Sequence, residues 1–197
     1  MRILIIGANG HVGSAAADAL SGRHDIIRAG RTADEPVDIT DPASIADLFA
    51  RTGTVDAVIV AAGSVPFKPL DALGRDDYLA AFTGKVLSQL DVVRLGVDHV
   101  ADGGSFTLTT GILAREPIAT GAAASMANGA VESFVMAAAA ELPRSIRINA
   151  VSPTVLAAAT GYHSAFPGFP PVSSEAVGQA FVRVVEGVGT GRVVALD

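Results

Sequence analysis

The sequence predicts an α/β fold, a doubly wound parallel sheet of about seven strands with helices on both faces. Short continuous runs rich in valine and isoleucine alternate with longer segments of helical spacing, the pattern of strands buried on both faces and joined by crossover helices. The glycine-rich stretch "GANGHVG" directly follows the first such run and opens the first helical segment. Half of the 197 residues are hydrophobic and only 17% are charged, so the chain can fill a two-sided core as a single domain, residues 1–197.

The elements follow in order. Residues 2–6 form the first strand, ended by Gly7, and residues 11–21 the first helix. The apolar run "ILII" is too short for a signal-peptide core or a membrane span, so a cytoplasmic protein is expected. Strands at 25–29 and 36–39 precede a helix at 42–51, which Asp41 caps and Pro42 opens. A strand at 55–61, a long helix at 75–101 and a strand at 104–109 come next. The helix at 121–141 is closed by Pro143 and followed by a strand at 146–151. Ser173 and Ser174 cap the last helix, 174–187, and residues 192–196 form the last strand. The Pro/Gly-rich "AFPGFPPVSS", residues 165–174, is a substrate-side loop, part of a small irregular region near 156–174.

Composition closes off several chemistries. A net charge of −6 and the absence of any basic cluster give no electrostatic reason to meet nucleic acid. Without cysteine there is no disulfide, thiolate nucleophile or cysteine-ligated metal. His11, His24, His99 and His163 lack ligand-like spacing, so no metal site is expected, and no Gly-x-Ser-x-Gly nucleophile turn occurs.

The glycine pattern points to a dinucleotide. Gly7, Gly10 and Gly13 permit a tight turn, close approach of a pyrophosphate and close packing of helix on strand, while free amides at the helix start attract negative charge. Asn9, His11 and Val12 complete this phosphate-side set. Just past the second strand stands Arg31, where a carboxylate would select the unphosphorylated ribose of NAD; a guanidinium suits a 2′-phosphate, so NADP(H) is favoured over NAD(H). The alternative is a plain solvent-exposed arginine.

With these motifs in place, the chain resembles the short-chain dehydrogenase/reductase family along essentially its whole length, and the resemblance implies a Rossmann-type sheet. "GANGHVG" is similar to the family's glycine turn, and "VDITD" to the segment that sets Asp38 and Ile39 beside adenine. "AAG", Ala61 to Gly63, resembles its Asn-Ala-Gly turn. "IRINAVSPT" resembles the sixth strand and the turn that would hold nicotinamide at Pro153, Thr154 and Val155. "GGSFTLTTG" and "NGAVESF" resemble the fifth strand and the long active-site helix.

The sequence departs from the family at the catalytic positions. The resemblance implies a tyrosine, a lysine four residues later and a serine; alignment on "NGAVESF" gives Ala124, Asn128, and Thr110 or Gly111. Hydride delivery to a carbonyl leaves a developing alkoxide that needs a proton donor and a nearby positive charge. The chain's only lysines are Lys68 and Lys85, and its only tyrosines Tyr78 and Tyr162. Lys85 stands where the family has an active-site asparagine, as if Lys85 and Asn128 had exchanged places. The expected catalytic set is therefore Lys85, Thr110 as hydroxyl donor, Asn128 as orienting amide and Tyr162 from the loop. The bland alternatives are a surface lysine and a loop aromatic; Tyr78 suits the core better than the cleft.

These residues lead to an NADP(H)-binding oxidoreductase of a small carbonyl or alcohol substrate, with a rearranged active site. A non-catalytic NADP(H) sensor, or a non-redox isomerase or cyclase on the same fold, stays open. By resemblance the chain would form a homodimer or homotetramer through the helices at 75–101 and 121–141.

Overall fold

A computed structural model describes residues 1–197. Seven strands pair in parallel in one sheet: β1 (Arg2–Ile6), β2 (Asp25–Gly30), β3 (Glu35–Pro36), β4 (Val55–Val60), β5 (Val100–Thr109), β6 (Arg147–Pro153) and β7 (Val193–Leu196). Their spatial order is β3-β2-β1-β4-β5-β6-β7. The helices are α1 (His11–Leu20), α2 (Pro42–Thr52), α3 (Arg75–Ala81), α4 (Ser88–Gly96), α5 (Ala122–Glu141) and α6 (Ser174–Glu186).

Period-two alternation divides β1 between two cores. Ile3 and Ile5 pack with Ala16 of α1 and Phe181 of α6, whereas Leu4 and Ile6 face Phe49 of α2, Val92 of α4 and Val131 of α5. Local signals fix the helix ends: the Asp41 carboxylate accepts from the Ala43 amide at 2.9 Å, and the Ser173 hydroxyl from the Ala176 amide at 3.1 Å. After β3 the chain returns past β1 to β4, so winding reverses there and opens a crevice at the carboxyl ends of the strands.

Three element boundaries differ from expectation. The strand expected at 36–39 ends at Pro36, because Asp38 accepts from both the amide and the hydroxyl of Thr40 and turns the chain away from the ladder. The strand expected at 104–109 begins already at Val100, paired with Val55. The helix expected over 75–101 runs unbroken from Arg75 to His99 but is not α-helical throughout: a π-helical segment, Phe82–Leu87, lies between α3 and α4, and a 3-10 turn, Val97–His99, ends it. The π turn has a tertiary cause. The Gly84 carbonyl accepts from the Ser64 amide at 3.0 Å, and a side chain at 84 would collide with the Ser64 carbonyl oxygen at 2.7 Å. A carbonyl drawn out to Ser64 widens the helix there, and Lys85 is the next residue.

Candidate functional site

The crevice at the switch point holds an open cleft of about 750 Å³. Its floor is the turn after β1, where Gly7 has φ +86° and a Cβ at Gly13 would lie only 2.1 Å from the Gly7 carbonyl oxygen. Glycine is therefore required at both positions. The amides of His11, Val12 and Gly13 find no acceptor in the chain, and the first turn of α1 carries no acidic residue. Unpaired amides at a helix start form an anion site.

On the far wall, Arg31 and Thr32 follow β2, and Asn9 ties the glycine turn to them through the Thr32 carbonyl at 3.3 Å. Arg31 is exposed and forms no hydrogen bond or ion pair within the chain. Asp38, Ile39, Ala61, Ala62 and Gly63 complete the wall. Hydrogen bonds from the Thr40 hydroxyl and amide hold the Asp38 carboxyl below its ordinary pKa, with a smaller contribution from the Arg31 charge. Free amides at the start of α1 beside a cleft lined by Gly7 and Gly10 fit the pyrophosphate of a dinucleotide.

A second cavity, about 190 Å³, adjoins the cleft, and Gly63 lines both. Lys85, Thr110, Asn128 and Thr154 supply its polar wall; Val65, Phe67, Ile112, Leu113 and Phe166 supply an apolar one. The Lys85 ammonium donates to the Thr109 carbonyl at 3.1 Å, leaving two of its hydrogens without a partner in the chain. As a residue Lys85 is partly accessible through the cavity, but its ammonium lies deep, and burial lowers its pKa to about 8. Gln89 holds that carbonyl in place: its amide donates to the Thr109 oxygen at 2.9 Å and its oxygen accepts from the Thr109 amide at 3.0 Å. Asn128 Oδ1 and Thr154 Oγ1 are buried without partners, so this wall retains polar capacity for a ligand.

Behind the cavity lies a charged cluster that the sequence did not reveal. Ala124, Asn128 and Glu132 follow at helical spacing on α5; the first two line the cavity, and Glu132 reaches toward β5 and β6. A single oxygen of Glu132 accepts from Thr110 Oγ1 at 2.8 Å, Arg115 Nη1 at 2.8 Å and Ser152 Oγ at 3.1 Å. Arg115 also donates to Ser152 Oγ at 3.1 Å. The only sequence signal was a carboxylate eight residues beyond Ala124 in the middle of a mostly apolar helix.

The structure thus gathers Lys85, Thr110, Asn128, Pro153, Thr154 and Val155 around one cavity, and Gly7, Asn9, Gly10, Arg31, Asp38, Ile39, Ala61, Ala62 and Gly63 around the other. His11, Val12 and Gly13 contribute amides rather than side chains. Two expected roles are corrected. Thr110 cannot be the free hydroxyl donor, since its hydrogen is committed to Glu132. Tyr162 does not line the cavity: His163 is anchored to the Leu156 carbonyl at 2.9 Å in the 3-10 turn Thr160–Ala165, leaving Tyr162 59% exposed, and Phe166 faces inward instead. Tyr78 packs against the main core and an open surface pocket.

Comparison with known proteins adds independent findings. Residues 12–194 match the family described as enoyl-(acyl carrier protein) reductase. The chain is 28% identical over 110 residues to hydroxynaphthalene reductase arp2 of Aspergillus fumigatus, covering 55% of this chain and 40% of that protein. It is 27% identical over 174 residues to hydroxynaphthalene reductase-like protein Arp2 of Metarhizium brunneum, covering 80% of this chain and 65% of that one. The chain therefore spans less than two thirds of the length of either relative. Among solved structures it resembles the protein lin1944 from Listeria innocua, with TM-score 0.98, 44% identity and 100% of both chains covered. It also resembles a small-chain dehydrogenase in complex with NADPH, with TM-score 0.88, 25% identity, and 100% of this chain and 96% of that one covered. No helix is long and apolar enough to cross a membrane.

Proposed function

The chain belongs to the short-chain dehydrogenase/reductase family, and from that premise we propose that it is an NADP(H)-dependent oxidoreductase of a small carbonyl or alcohol substrate, with a rearranged active site. The observation that carries the proposal is the junction at Gly63, which joins the cleft at the glycine turn to a smaller cavity lined by Lys85. NADPH held in this cleft would supply the hydride for reduction of a carbonyl.

The chain's own residues do the rest. Arg31 would pair with the 2′-phosphate, the free amides of His11, Val12 and Gly13 would hold the pyrophosphate, and Asp38 and Ile39 would flank the adenine. Pro153, Thr154 and Val155 would border the nicotinamide. Lys85 Nζ gives its proton to the oxygen that becomes the alcohol, standing in for the absent tyrosine, while Asn128 orients the substrate. A general acid works best with a pKa near the working pH, and burial brings Lys85 into that range, to about 8. The NADPH-bound relative and the reductase names of the curated relatives support the same reading.

The test is NADPH oxidation followed with a panel of small aldehydes and ketones. Turnover should fall as pH rises through about 8, where Lys85 loses its proton, and Lys85→Met should lower it by at least about a hundredfold. Nucleotide binding without turnover of any carbonyl would move the assignment to a sensor. We also propose self-association through α3, α4 and α5, supported by an open apolar pocket lined by Arg75, Tyr78, Leu79, Phe82 and Met126. A monomer by sedimentation at micromolar concentration would contradict it.

A further inference from the structure

We infer that Gln89 is a positioning residue for the reaction: through the Thr109 carbonyl that both side chains share, it fixes where the Lys85 ammonium stands. The inference rests on the oxidoreductase reading and adds a residue to its machinery. It begins with a gap in the sheet. β4 ends at Val60, opposite Leu108, while β5 runs one residue further, to Thr109. Thr110 donates to Val151 of β6, so the amide and carbonyl of Thr109 point to the β4 side, where no strand continues. Gln89 takes the place of the missing strand. Its side-chain oxygen accepts from the Thr109 amide at 3.0 Å and its nitrogen donates to the Thr109 carbonyl at 2.9 Å, a reciprocal pair of the kind that antiparallel strands exchange. A backbone N–H can only donate, so the Gln89 amide has one possible orientation. The side chain is fully buried, and water does not compete for either bond.

Lys85 lies four residues before Gln89 and donates to the same oxygen, at 3.1 Å; that oxygen is the only partner its ammonium has in the chain. The stem is confined as well, since a Cβ at Gly63 would come within 3.2 Å of Lys85 Cγ. No carboxylate offers the ammonium a second anchor: Glu132 of α5 is paired with Arg115, and Asp77 of α3 with Lys68. Burial alone shifts the pKa of Lys85. The Thr109 oxygen therefore decides where the ammonium stands, and Gln89 decides where that oxygen stands. The neutrality of Gln89 matters too. A carboxylate at position 89 would share the oxygen's surroundings with Lys85, pair with its charge and hold its proton back.

The test exploits the chain's having only two lysines, Lys68 and Lys85. The full chain labelled with ¹³C-lysine is followed by NMR, and Lys68→Arg assigns the signals. In the wild type the two ε-methylene protons of Lys85 should be resolved from one another, as in a fixed side chain, and in Gln89→Leu they should merge. In NADPH oxidation with a carbonyl substrate, kcat per folded molecule of Gln89→Leu should fall by roughly ten- to a hundredfold, with KM and NADPH affinity unchanged. A merely structural glutamine would lower stability and leave both kcat and the Lys85 signals as they are, which would overturn the inference, as would merged ε protons in the wild type. Should Gln89→Leu not fold, Gln89→Glu carries the test: its carboxylate should raise the Lys85 titration midpoint from about 8 by at least about one pH unit, and an unmoved midpoint would overturn the inference. Failure of the broader reading is distinguishable. Lys85 signals that respond to Gln89, with no NADPH oxidation by the wild type on any carbonyl, remove the reductase assignment and leave the positioning standing. Wild-type turnover with kcat and Lys85 signals indifferent to Gln89 does the reverse.

Discussion

Replacing Lys85 by methionine should make the nucleotide-free protein more stable, an outcome opposite to that of most buried substitutions. Methionine keeps most of the stem volume and removes the charge. Burial lowers the folded-state pKa of Lys85 from 10.5 to about 8, which corresponds to a penalty of roughly 3 kcal/mol on the charged form at neutral pH. Between those two pKa values the unfolded chain binds the extra proton, so wild-type stability gains from Lys85 as pH rises from about 8 toward 10.5, and the penalty is fully present below pH 8. Urea unfolding followed by far-UV circular dichroism, on wild type and Lys85→Met in parallel, isolates this contribution from other groups titrating in alkali. The variant should be more stable by up to about 3 kcal/mol at pH 7, with the gap shrinking toward pH 10.5. A variant less stable than wild type at pH 7, or a gap independent of pH, would show that burial of the Lys85 ammonium carries no such penalty. Lys85 would then be a structural lysine that the fold needs, rather than a charge the fold tolerates for its chemistry.

Three further outcomes follow from named contacts. Gly13→Ala should destabilise the fold by roughly 1–3 kcal/mol and abolish nucleotide binding, because the new methyl group would lie 2.1 Å from the Gly7 carbonyl oxygen; thermal unfolding and calorimetry read the two effects. Gln89→Leu removes both bonds to Thr109 and leaves a buried amide unpaired, costing roughly 1–3 kcal/mol in urea unfolding. Glu132→Gln weakens the charge-assisted bonds to Arg115, Thr110 and Ser152 and should cost about 1–3 kcal/mol by the same assay.

The parts of the fold legible in the sequence are those whose causes are local. "RILII" could be read as a strand buried on both faces because every second residue belongs to the same core, and Asp41 with Pro42 announced α2 within four residues. The glycine turn was legible for the same reason: Gly7 and Gly13 answer a steric requirement within seven residues of each other. What the sequence hid has tertiary causes. The π turn exists because Ser64, twenty residues before Gly84, takes a carbonyl out of the helix, and no helical periodicity records that. Thr110 looked like a free donor because its partner, Glu132, lies twenty-two residues away on another element. Tyr162 drew attention by its chemistry, but the anchoring of His163 decides its direction. That positions 85 and 128 carry a lysine and an asparagine was visible in the sequence, and the structure adds that both residues line one cavity.

The most direct test of the whole account is a calorimetric titration of the protein with NADPH and with NADH, repeated on Arg31→Ala. The account requires NADPH to bind more tightly than NADH by at least about tenfold, as expected for charge-assisted bonds to one phosphate, and requires that preference to vanish in the variant. Absence of binding by either nucleotide would contradict the account at its foundation, and equal binding of both by the wild type would contradict the role of Arg31.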